Sequence, residues 1–90
     1  MQLEEQKRFL NYLFTEASDK LFNAISESAF DDTFVALSLG LGQQFYTQYQ
    51  SKPKQVSWDK WFSTVKTIPE EIKAQITPLI HEALGTFKEN

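Results

Sequence analysis

Apolar residues along this chain recur with the period of a helix. Laid out at 100° per residue, Leu3, Leu10, Leu13, Phe14, Ala17, Leu21, Ala24 and Ile25 fall on one face, the signature of an amphipathic helix. This predicts a first helix over about residues 2–27. Phe9, Tyr12 and Phe22 lie off that face, so the helix carries more apolar surface than one neighbour covers. Residues 28–32 read as a break, because the carboxylate of Asp31 or Asp32 can accept hydrogen bonds from the free amides that open the next helix. A second helix is expected over about residues 32–50. Its first half, FVALSLGL, is apolar almost all round, as befits an element surrounded by others. Val35, Leu37, Leu39 and Leu41 also alternate as in a strand, but the helical pattern around them and the glutamine-rich continuation favour a helix.

The segment SKPKQVS, residues 51–57, is a connector: Pro53 excludes a helix interior and Ser57 is placed to cap the next helix. Trp58, Trp61, Phe62 and Val65 then stand at i, i+3, i+4 and i+7. Thr67-Ile68-Pro69-Glu70 has the form of a capping box, which predicts a further helix starting there. Ile72, Ile76, Leu79, Ile80, Ala83, Leu84 and Phe87 continue in register through Pro78, which projects from the opposite, polar side. One kinked helix across Pro78 is favoured, with Thr77-Pro78 as an alternative start. The stripe of 58–65 is also in register with that of 72–87, so a single long helix competes with a break at Thr67. These patterns predict an all-α fold, a small bundle of four or five helices forming one domain over residues 1–90. Its expected core is Leu10, Leu13, Phe14, Leu21, Leu37, Leu41, Phe45, Trp61, Phe62, Ile72, Ile76, Ile80 and Leu84.

Composition changes this picture little. Ninety residues are too few for a second core, and 41% hydrophobic residues, 14% of the chain aromatic, suffice to fold one. Cysteine is absent, which removes disulfides, thiolate nucleophiles and Cys-ligated zinc. Glu4 and Glu5 interrupt the start where a secretory signal needs an apolar run. The longest apolar stretch, residues 34–41, falls far short of the roughly 20 residues that span a bilayer. A cytoplasmic protein without membrane contact is expected. The net charge of −3 and pI near 5.0 argue against broad attraction to phosphate backbones or anionic lipid. The charge is uneven: residues 1–32 hold seven acids against three bases, while residues 33–57 hold only Lys52 and Lys54.

Little of this supports catalysis. His81, the only histidine, lies opposite the apolar stripe of its helix, and no Glu or His stands three or four residues away to make a helical metal site. Glu4-Glu5, Asp31-Asp32 and Glu70-Glu71 all stand at or near expected helix starts, where acids meet the helix dipole favourably. Glu16 and Asp19 share a face but lack the third group of a two-metal or acid/base site. Gly40 and Gly42 have neither Walker nor dinucleotide spacing, and no serine sits in a nucleophile elbow. An enzyme is therefore disfavoured, and no cofactor, metal or small-molecule ligand is expected. WDKWF, residues 58–62, could offer an aromatic stacking platform, but its spacing places Trp61 and Phe62 in the core and leaves only Trp58 partly exposed.

Two readings of SLGLGQQFYTQYQ, residues 38–50, compete. In the first, Ser38, Gly40 and Gly42 remove side-chain bulk so that helices approach closely, at a cost of roughly 1 kcal/mol per glycine. In the second, Ala36, Gly40, Leu41, Gln43, Tyr46 and Tyr49, with Val35 and Leu39, take the places of a helix-turn-helix. On those residues the stretch 31–49 resembles phage-repressor-like DNA-binding domains. The resemblance implies a turn at Gly40, with Gln43, Gln44, Thr47 and Gln48 facing the major groove and Lys52 and Lys54 touching phosphates. The function favoured by the whole sequence is a non-enzymatic protein-interaction module, an adaptor, regulator or subunit. It would act on another protein or on itself as a homodimer, through Phe9, Tyr12, Phe22, Tyr49 and Trp58. The competing possibility is that the core simply wraps these five aromatics.

Overall fold

The computed structural model describes residues 1–85 and places five α-helices there: α1 (Leu3–Thr15), α2 (Asp19–Ala24), α3 (Thr33–Tyr49), α4 (Gln55–Thr64) and α5 (Glu70–Leu84). A 3₁₀ turn at Glu27–Ala29 links α2 to α3, and no strand occurs among the described residues. The chain is an all-α bundle. No helix among the described residues is long and apolar enough to cross a membrane.

The long first helix expected from the apolar stripe is two helices. The Ser18 hydroxyl accepts a hydrogen bond from the amide of Leu21 at 3.1 Å and caps α2, while the amides of Glu16 and Ala17 both close onto the carbonyl of Tyr12. A local side-chain acceptor thus stops α1 even though the apolar register runs on through Ala17 and Leu21. Asp32 opens α3 as expected, its Oδ1 accepting from the amides of Phe34 and Val35 at 2.9 and 3.0 Å. Gln6 reinforces this start from inside the core: its side chain accepts from the Asp32 amide at 2.8 Å and donates to the Met1 carbonyl at 2.9 Å.

Residues 58–84 are also two helices. α4 begins at Gln55, three residues before the expected start. Ser57 serves in its first turn, accepting from the Lys54 amide at 3.1 Å. The capping box at Thr67 does not form, because Pro69 takes the N-cap position of α5 with no side-chain hydrogen bond. Proline fixes the φ of the entry residue and needs no amide partner there. α5 continues through Pro78, which is exposed. Phe87, assigned to the same stripe from sequence, lies outside the described residues.

α1 packs chiefly on α5, and α3 lies against both. Leu10, Leu13, Phe14, Leu41, Phe45, Trp61, Phe62, Ile76 and Ile80 are buried as expected, whereas Leu21, Leu37, Ile72 and Leu84 are only partly covered. Phe22, Phe30, Val35, Leu39 and Trp58 are core residues absent from the expected core. Asn11 ties α1 to the end of α5 by donating to the carbonyls of Ala83 and Gly85 at 2.8 and 2.7 Å. The backbone of α4 makes fewer close approaches to its neighbours. Its hold on the bundle is aromatic: Phe45 of α3 lies 5.6 Å from Trp61 and 6.4 Å from Trp58, centre to centre, and Trp58 packs in turn on Trp61 and Phe62 of its own helix. Rings of that size space the α4 backbone away from α3, and a groove opens between the two helices.

The two glycines of α3 do different work. An added Cβ on Gly42 would land on Cζ of Phe14 and 2.7 Å from its Cε1. Phe14 and Phe22 are themselves packed edge to face at 5.1 Å, so Gly42 is where the ring layer of α1 and α2 meets the backbone of α3. Gly40 instead lies beneath the carboxyl end of the exposed Glu27 side chain. Close helix packing through a small residue holds for Gly42; Gly40 is covered by a flexible side chain.

Candidate aromatic groove between α3 and α4

Tyr49 stands in the last turn of α3, one turn after Phe45, with ring centres 4.6 Å apart. Trp61 meets Phe45 edge to face at 5.6 Å and an interplanar angle of 88°. Gln48 fixes both rims, accepting from the indole Nε1 of Trp61 at 3.0 Å and donating to the Tyr49 hydroxyl at 3.4 Å. The groove these rings floor has a volume of about 580 Å³, with Ser51, Ser57, Lys60 and Thr64 along its walls. At its α3 end Gln50 closes the helix in the left-handed region, with φ of 57°. Tyr49 is 50% exposed, and Val56 in the first turn of α4 is 69% exposed.

A second groove, about 540 Å³, runs between α4 and α5 past Asp59, Phe62, Ser63, Glu70 and Lys73. Its polar groups are committed within the fold. Asp59 Oδ1 lies 2.7 Å from Nε2 of His81, and the buried Lys73 donates to the Phe62 carbonyl at 2.9 Å with its ammonium 5.2 Å from the Phe62 ring centre. The sequence leaves His81 without a partner because Asp59 sits on another helix. No group of three or more metal-ligating side chains occurs among the described residues.

The five aromatics singled out from sequence separate into three sets. Phe22 and Trp58 are fully buried, which corrects their assignment as interaction residues. Phe22 interlocks with Phe14 of α1, and Trp58 with Phe45 of α3 and with Trp61 and Phe62 of its own helix. The Trp58 indole N–H is buried with no acceptor among the described residues. Phe9 and Tyr12 stack at 6.4 Å on α1, with Phe9 half-buried against Phe30 and Tyr12 40% exposed. Tyr49 lines the α3–α4 groove, and the other four do not.

The turn implied at Gly40 by the helix-turn-helix resemblance is not formed: α3 is one helix from Thr33 to Tyr49. Gln43 faces inward, donating to the carbonyls of Phe22 and Ile25 at 2.9 and 2.7 Å and so capping the end of α2. Gln48 is engaged with Trp61, Gln44 and Thr47 are exposed on α3, and Lys54 is exposed at the start of α4. Lys52 folds back to donate to the Ala17 carbonyl, with its ammonium 5.4 Å from the Phe22 ring centre. Partial burial lowers its pKa, opposed by the nearby Asp19 carboxylate. Asp19 also accepts from the Tyr46 hydroxyl at 2.9 Å, and this hydrogen bond raises the Tyr46 pKa above its ordinary value.

Comparison with protein-family models, with curated proteins and with solved structures gives no match for this chain.

Proposed function

We propose that the chain is a small cytosolic, non-enzymatic protein-interaction module that docks its partner in the α3–α4 groove. The observation that supports this reading is the half-exposed Tyr49 ring on a groove already floored by Phe45 and Trp61. Aromatic side chains held rigidly at a concave surface lose little conformational freedom on binding, and tyrosine and tryptophan are enriched among residues that dominate binding energy. Gln48 supplies the rigidity by holding Trp61 and Tyr49 together.

The experiment is affinity capture from the source cells with the wild-type chain, Tyr49→Ser and Tyr12→Ser side by side, after circular dichroism has shown all three folded. Retention of a partner by wild type and Tyr12→Ser, and its loss with Tyr49→Ser, supports the groove. Equal retention by Tyr49→Ser, or no partner with any of them, removes the reading.

A further inference from the structure

We infer that the α3–α4 groove takes an acidic helical segment carrying one or two large apolar side chains; this rests on the docking role proposed above and adds the chemistry of the partner. Charge is the first argument. No acidic residue among the described residues lines the groove, whereas Lys60 does, and Lys60 has no ion pair among the described residues. Residues 50–66 hold Lys52, Lys54, Lys60 and Lys66 against one acid, Asp59, and that carboxylate is turned to His81. α4 also starts with no acid in its first turn and no side-chain acceptor at its N-cap, so the positive end of its dipole adds to the lysines. Lys52 and Lys54 turn towards α1, so the charge facing the groove within this acidic chain is that of Lys60.

Shape is the second argument. Ser57 to Thr64 along the wall span roughly 10 Å at 1.5 Å per residue, which is two helical turns. Anchors at i and i+3 or i+4 of a docked helix meet such a floor, and acidic residues beside those anchors meet Lys60. Two copies of this chain facing each other through the groove would bring Lys60 towards Lys60, a like-charge contact that disfavours symmetric self-pairing.

The test is selection of a random 16-residue peptide library on phage against the full chain, followed by titration of enriched peptides by fluorescence anisotropy at two salt concentrations. The wild type, Lys60→Glu and Lys60→Gln are compared, and sedimentation of the protein alone is run beside them. Lys60 is exposed, so neither substitution disturbs the core. The expected peptides set Asp or Glu beside Leu, Ile, Phe or Trp at helical spacing, bind more weakly at high salt, and lose roughly fivefold or more in affinity with Lys60→Glu and less with Lys60→Gln. No enrichment, enrichment of neutral or basic peptides, undiminished binding to Lys60→Glu, or self-association through the groove would each overturn the inference. Failure here while cellular capture still depends on Tyr49 removes only the acidic chemistry; loss of the Tyr49 dependence removes the docking site itself.

Discussion

Replacing Gly40 and Gly42 by alanine, one at a time, separates the two roles that one sequence stretch could have. Each change gains about 1 kcal/mol of helix propensity. At Gly42 the new Cβ falls 2.7 Å from Cε1 of Phe14 and 3.1 Å from Cζ of Phe22. Both rings are buried and locked edge to face, so the strain cannot be relieved by a single rotamer change. Overpacking of this kind costs about 1 to 3 kcal/mol or more, and at such distances the upper end applies, leaving a net loss of about 2 kcal/mol. At Gly40 the obstacle is the carboxyl end of Glu27, 2.6 to 2.8 Å away on an exposed and flexible side chain. That group swings aside, and Gly40→Ala gains up to about 1 kcal/mol. With about 4–8 °C per kcal/mol for a domain of this size, the two midpoints should differ by roughly 12–24 °C. Thermal unfolding followed by circular dichroism at 222 nm reads this directly. A destabilised Gly40→Ala, as a turn with positive φ would give, or a neutral Gly42→Ala refutes this packing.

Removing Gln43 as Gln43→Ala deprives the carbonyls of Phe22 and Ile25 of their donor. Urea unfolding should show a loss of about 1 to 3 kcal/mol for the two bonds. Gln50→Gly relieves a left-handed residue at the end of α3 and should gain about 1 kcal/mol in the same assay; a loss would show that the Gln50 side chain outweighs its backbone. Tyr46 should titrate above the ordinary tyrosine value of about 10 in a ¹³C NMR pH series and return towards it in Asp19→Asn. Since folding raises this pKa, the hydrogen bond's contribution is complete at neutral pH and is lost as pH rises through the folded value.

The helical class, the start of α3 at Asp32 and most of the core are legible in the sequence because they depend on residues close along the chain. The stop at Glu16 is not, since the apolar stripe stays in phase across Ala17 and only Ser18, a single hydroxyl, ends the helix. Phe22 is misplaced by periodicity for a related reason. A residue off one helix's main stripe can still be enclosed when rings from two other helices, here Phe14 and Tyr46, converge on it, and that convergence is tertiary. Trp58 stands on its stripe but at a helix start, and its burial depends on Phe45 of α3 closing over that end. Tyr49 is legible as a candidate, but its groove is not, because Gln48 and Trp61 meet only once α4 folds back along α3. Gln43 has the sequence setting of an outward polar side chain, yet the loose end of α2 gives it two carbonyls to satisfy.

Site-specific photo-crosslinking in the source cells tests the docking surface most directly. p-Benzoylphenylalanine is placed at Tyr49, Thr64, Gln44 or Tyr12 in separate chains. The α3–α4 groove, lined by Tyr49 and Thr64, predicts one partner band from positions 49 and 64 and none from 44 or 12. Crosslinks that arise from 12 or 44 while 49 and 64 stay silent would contradict it.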